Sequence, residues 1–128
     1  MDDIKLLNPK NECSGIRKSF TFIASHNGKF KDGEHVDNEK HEHDWKVIYR
    51  CKSRELNEEN VVCDFRFAET IKEQLDGKYL NELDIFKGQI VTTEYIAKWI
   101  RQQIPKCYLV EVFETDDNMA WSYKTIDD

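Results

Sequence analysis

Paired cysteine spacings, a basic face, a bilayer-length apolar run and internal repeats are all missing from this chain, and each absence removes a class of function. Cys13, Cys51, Cys63 and Cys107 show no Cys-x-x-Cys spacing, and the start Met1-Asp2-Asp3-Ile4-Lys5 lacks the positive opening and apolar run of a secretion signal. The expectation is a reducing, cytoplasmic protein with free thiols. Lysine and arginine total 19 against 25 acidic residues, a formal net charge of -6, and no basic stretch is long enough to track a phosphate backbone. Nucleic acid is therefore not an expected partner. No apolar stretch approaches the roughly 20 residues that cross a bilayer, so a membrane is not expected either. At 128 residues, with no repeat or low-complexity segment, the chain fits one domain with a modest core. Residues 1–16 read as an N-terminal extension and 17–126 as the core.

What the chain does have is a concentration of histidine. All four lie between positions 26 and 43, and His26, His41 and His43 are spaced as ligands on neighbouring strands would be. His41 and His43 lead into Asp44-Trp45-Lys46-Val47-Ile48-Tyr49-Arg50-Cys51, whose aromatic and β-branched content reads as a strand. Residues i and i+2 of a strand project from one face, so both imidazoles can reach one ion. His26 closes a second strand-like run, Ser19-Phe20-Thr21-Phe22-Ile23-Ala24-Ser25, and antiparallel pairing brings its end to the start of the later one. Three neutral imidazoles with a vacant fourth position are the hallmark of a catalytic zinc site. The competing reading is a solvated loop that contains histidines.

Residues 27 to 40 carry Gly28, Gly33, many charges and no hydrophobic period, and read as a long functional loop between two strands. Phe67, Ala68, Ile71 and Leu75 share the spacing of one helical face. A second helix begins near Thr92-Thr93-Glu94, carries Ile96, Ala97, Ile100 and Ile104 and stops at Pro105, with Thr92 or Thr93 as its N-cap. Two strands follow, Tyr108 to Glu114 and Met119 to Tyr123, joined by the turn Thr115-Asp116-Asp117-Asn118. The order predicts an α+β fold, a four-stranded antiparallel sheet with two helices on one face. Open sheet edges need cover, and a homo-oligomer that continues the sheet between subunits supplies it.

In order and spacing, several words resemble the 6-pyruvoyltetrahydropterin synthase and 6-carboxytetrahydropterin synthase family. They are Phe22-Ile23-Ala24-Ser25-His26, His41-Glu42-His43, Val62-Cys63-Asp64-Phe65, Leu75-Asp76 with Tyr79-Leu80-Asn81, Thr92-Thr93-Glu94 and Val112-Phe113-Glu114-Thr115-Asp116. The resemblance implies the tunnelling fold, a barrel made by subunits sharing their sheets, with active sites at subunit interfaces in a hexamer. It implies zinc at His26, His41 and His43, and a substrate such as 7,8-dihydroneopterin triphosphate. It also implies that Glu114 anchors the pterin ring, with Thr92, Thr93 and Glu94 lining the pocket. A carboxylate suits that role, because it accepts two parallel hydrogen bonds from the ring's amino and imino groups. Read without the family, Glu114 is an ordinary strand-end charge.

The chain departs from the family in its proton-handling groups. The family's reactive cysteine falls in the loop before the zinc histidines, and residues 27 to 40 contain none. Asp37 stands at the bacterial cysteine position and His35 at the animal one. Asp76 is retained from the family's Asp-His pair, but Gly77 replaces the histidine. A carboxylate can act as base in place of a thiol if burial raises its pKa, which makes Asp37 and Glu39 the candidates beside Asp76. Lys29, Lys31 and Lys78 can meet substrate phosphates as point charges. The first functional expectation is a zinc-dependent carbon-carbon lyase of the 6-carboxytetrahydropterin synthase type, in the route to deazapurines such as queuosine. The alternatives are an aldolase-like enzyme of the folate route that yields 6-hydroxymethyldihydropterin, and a pterin-binding paralogue without turnover.

Overall fold

A computed structural model describes residues 12–125. Residues 1–11 of the expected extension and residue 126 of the expected core lie outside it. Strand β1 (Ser14–His26) pairs antiparallel with β2 (His41–Ser53), in a register that sets Phe22 opposite Trp45 and His26 opposite His41. Strands β4 (Cys107–Phe113) and β5 (Met119–Tyr123) extend the sheet antiparallel beyond β2. These are the four expected strands. A fifth, the two-residue β3 (Lys78–Tyr79), lies parallel to β1 at Ala24 and Ser25, so the sheet is mixed and runs β3-β1-β2-β4-β5.

Alternation decides which face is covered. Phe22, Ala24 and His26 of β1, and Trp45, Val47, Tyr49 and Cys51 of β2, are buried, while most of their sequence neighbours are not. Helices α1 (Arg66–Leu75) and α2 (Thr93–Gln103) pack on that face. α1 contributes Ala68, Ile71 and Leu75, and α2 contributes Ile96, Ala97, Trp99 and Ile100. Stacking of Phe22 on Trp45, ring centres 5.9 Å apart at 4°, fills the centre below the sheet's β1–β2 end. On the opposite face, among the described residues, β5 is left exposed: Trp121 is 64% and Tyr123 54% exposed, beside Met119. The long loop after β1 is closed by a 3-10 turn, Val36–Asn38, capped by His35, whose Nδ1 accepts the Asp37 N–H at 3.1 Å. Among the described residues no helix is long and apolar enough to cross a membrane.

Candidate metal centre and pocket

The β1–β2 register places the imidazoles. His26 ends β1 opposite His41, and His43 lies two residues along the same face of β2, opposite Ala24. Ring centres are 4.4 Å apart for His26 and His41 and 4.9 Å for His41 and His43. His26 Nδ1 lies 2.7 Å from the Val91 carbonyl and His41 Nδ1 2.7 Å from the Glu39 carbonyl. A carbonyl only accepts, so each Nδ1 bears the proton and each Nε2 presents a lone pair. Nε2 of His26, His41 and His43 is in every case buried and without a hydrogen-bond partner. The lone pairs that His26 and His41 turn toward one another, with His43 Nε2 beside them and no hydrogen-bond donor among them, are costly to bury unless something electron-poor sits there, which is the fit expected for a metal ion. Desolvation by burial holds His26 below its ordinary pKa and so in the neutral form a metal needs. Trp45 underlies the cluster, 4.9 Å from the His26 ring and 5.6 Å from that of His43, with its Nε1–H donated to the Ala24 carbonyl at 3.0 Å.

Glu114, the residue after β4, closes the cluster from the far side. Its Oε1 is 2.9 Å from His43 Nε2 and 3.9 Å from His41 Nε2, and its Oε2 is 3.9 Å from His26 Nε2. The Thr93 hydroxyl donates to Oε2 at 2.8 Å. The four residues can hold one metal ion, their ligand atoms all lying within 4.8 Å of one another. Thr92 acts differently from its neighbour: its hydroxyl caps α2 by accepting the Tyr95 N–H at 3.1 Å, as expected of an N-cap. Beside the cluster opens a cavity of about 320 Å³, walled by His26, Thr92, Thr93 and Glu114 with Asp37 and Phe30 from the loop. Met119 and Ala120 of β5 complete one side.

The proton-handling candidates separate. Asp37 lines the cavity, with a carboxylate 46% exposed and 3.8 Å from His35 Nδ1. Glu39 reaches the site through its carbonyl on His41, while its side chain is exposed and does not line the cavity. Asp76 does not line it within one chain either: its Oδ1 accepts the Ile23 N–H at 2.8 Å, and the Gly77 N–H bonds the Ile23 carbonyl at 2.6 Å, so the pair clasps the edge of β1. Gly77 has φ +75, a backbone state that side chains adopt at a cost, which is a local reason for glycine there. None of the four cysteines lines the cavity. The Cys51 thiol is pushed up by its hydrogen bond with Cys107 and by burial, and that of Cys63 by burial, so both stay protonated and act as packing. Lys29 and Lys31 are exposed on the loop, and Lys78 lines a separate cleft with Lys40 and Tyr79.

Sequence reasoning missed the knot that holds the loop. Asn27 donates its N–H to Asn81 Oδ1 at 2.9 Å, and its carbonyl accepts from Asn81 Nδ2 at 2.9 Å. Its side chain accepts from the Tyr79 hydroxyl at 2.7 Å and donates to the Asn38 carbonyl at 3.0 Å. The residue next to His26 is thereby pinned both to the Val36–Asn38 turn and to Tyr79 and Asn81. Tyr79-Leu80-Asn81 was visible as a word, but its partner, more than 50 residues away, was not.

A family model described as 6-pyruvoyl tetrahydropterin synthase matches residues 15–125. No curated protein matches the chain in sequence. Among solved structures, 6-pyruvoyl tetrahydropterin synthase of Caenorhabditis elegans is 17% identical, with a TM-score of 0.73 over 89% of this chain and 97% of that one. An uncharacterized protein from Wolinella succinogenes is 20% identical, with a TM-score of 0.66 over 90% of this chain and 100% of its own. The Plasmodium vivax 6-pyruvoyl tetrahydropterin synthase is 15% identical, with a TM-score of 0.66 over 91% and 100%. A variant of the Plasmodium vivax protein has also been solved with a catalytic glutamate replaced by alanine. At these identities the likeness to solved structures establishes the fold, while the match over residues 15–125 establishes the family.

Proposed function

This chain belongs to the 6-pyruvoyl tetrahydropterin synthase family, and on that premise we propose that it is a zinc-dependent carbon-carbon lyase of the 6-carboxytetrahydropterin synthase type. Its substrate in this reading is 7,8-dihydroneopterin triphosphate and its place is the cytoplasmic route to deazapurines such as queuosine. The carrying observation is the set of three buried Nε2 atoms that converge with Glu114 at the wall of the cavity. His26, His41 and His43 hold the zinc, which supplies Lewis acidity toward the side-chain hydroxyls and the developing carbonyl. Glu114 accepts hydrogen bonds from the pterin ring, and Thr93 sets the orientation of that carboxylate. Phe30 and Met119 narrow the cavity against water, and Asp37 takes the proton that the family's thiol handles elsewhere. Asp76 acts at the neighbouring site of a homo-oligomer, taken to be a hexamer.

Elemental analysis of protein purified without chelator should give near-stoichiometric zinc, most of it lost in His43→Ala. Incubation with the triphosphate should then yield a carboxypterin. A second reading rests on one observation: the cavity presents a carboxylate, Asp37, and no thiol, while a glutamate is the catalytic residue replaced in the Plasmodium vivax variant. On that reading dephosphorylated dihydroneopterin is cleaved to 6-hydroxymethyldihydropterin. Failure to turn over either compound in a folded, zinc-loaded protein would overturn both and leave a binding paralogue.

A further inference from the structure

Three of the four cysteines meet in the core, near the end of β2 opposite to His41 and His43. Cys51 faces Cys107 across the β2–β4 pair, and its thiol hydrogen-bonds with those of Cys107 and Cys63. A step in the register makes this meeting. Arg50 faces Leu109 but Cys51 faces Cys107, so Tyr108 is the extra residue of a bulge; an unbroken ladder would set Cys51 against Tyr108. Directly opposed residues of an antiparallel pair stand about 4.5–5.5 Å apart at Cα, inside the range of about 4.4–6.8 Å that a disulfide spans. Among the described residues the histidine cluster is the group gathered tightly enough for a metal ion, so the three thiols point to sulfur–sulfur chemistry instead.

Cys107 has its own way to solvent. It lines a cleft of about 330 Å³ with Arg101, Lys106 and Lys124, while Cys51 behind it is fully buried. The hydrogen bond with the Cys51 thiol, with a smaller contribution from the Arg101 guanidinium, holds the Cys107 thiol below its ordinary pKa against the opposing effect of burial. The thiolate is the nucleophile, so of the three sulfurs Cys107 is the one poised to react first.

We propose that Cys107 and Cys51 form a peroxide-sensing disulfide site, reversible by thiols, in the seam between β2 and β4 and separate from the cavity beside the histidines. The Cys107 thiolate attacks one peroxide oxygen, the O–O bond breaks, and the departing hydroxide takes up the proton that the thiol gave up. The sulfenic acid so formed meets the Cys51 thiol: an S–S bond forms, the S–O bond breaks, and the Cys51 proton leaves with the hydroxyl as a second water. Two electrons pass from the thiol pair to the peroxide. Helices α1 and α2 both lie between positions 51 and 107, so the bond ties the helical half of the chain into one covalent loop and restricts its unfolded state.

The test uses the full chain with Cys13→Ser, which removes the exposed thiol, treated while folded with enough hydrogen peroxide to oxidise glutathione fully, then denatured and alkylated. Peptide mass spectrometry without reductant should find Cys51 joined to Cys107, and a dithiol reductant should release both. The urea midpoint of the oxidised protein should lie above that of the reduced one. In Cys51→Ser, Cys107 should stop at the sulfenic acid and be trapped by dimedone. Cys51 and Cys107 both recovered as free thiols, or Cys51 joined to Cys63, would overturn the site, and this mapping needs no substitution in the core. Dimedone on Cys63 with Cys107 unlabelled would overturn the assignment of the attacking sulfur.

Discussion

Asn27 shows how much of the site depends on a residue that carries no chemistry. Its side chain joins Tyr79 on one side and the Asn38 carbonyl on the other, across a part-buried gap. Asn27→Ala leaves the Tyr79 hydroxyl and the Asn38 carbonyl without that partner, so it should cost about 1–3 kcal/mol in urea unfolding. An unchanged midpoint would mean that other contacts hold the loop. At Asp37 the expected effect is on rate. Asp37→Asn keeps the shape and removes the base, and should lower kcat by about 100- to 10,000-fold while zinc content stays at the parent level. Replacement of all four cysteines by serine or alanine should leave turnover in place, because no thiol lines the cavity. Turnover lost in a folded, zinc-loaded cysteine variant would return the role to a thiol.

Among the elements, α2 links the fold to the site most directly, since its first turn supplies both the cap and the Glu114 contact. Thr92→Ala should destabilise by about 1 kcal/mol, and Thr92→Ser should recover most of it, read by thermal unfolding. Full stability in Thr92→Ala would show that the helix start is held from outside. The elements themselves were legible because their signals are local. Ile96, Ala97 and Ile100 repeat at helical spacing and are buried, and β5 occupies the expected Met119 to Tyr123. β3 was not legible: two residues hold no period, and Lys78-Tyr79 becomes a strand only because β1 lies beside it. β1 and β2 also run longer than their apolar words, since Ser14 to Lys18 are carried by pairing with Tyr49 to Ser53. In the site, the imidazoles were readable from strand periodicity. The approach of Glu114 to them was not, because it depends on β4 lying next to β2 in a register that no local pattern encodes.

At the scale of the molecule, the helices cover one face of the sheet, and among the described residues β5 is left exposed on the other. Met119, Trp121 and Tyr123 alternate along β5, which among the described residues has a neighbour on one side only. The family is typically oligomeric, and an exposed apolar edge of this kind calls for a partner strand. Trp121→Lys should reduce the mass measured by light scattering relative to the parent; an unchanged mass would place the subunit contact elsewhere. Met119 and Ala120 belong at once to that free edge and to the wall of the cavity. Whatever pairs with β5 therefore stiffens the chamber in which the ring is held, and the two events share one mass-action balance. Diluting the protein should weaken its grip on a pterin, and saturating it with pterin should make the assembly harder to dilute apart.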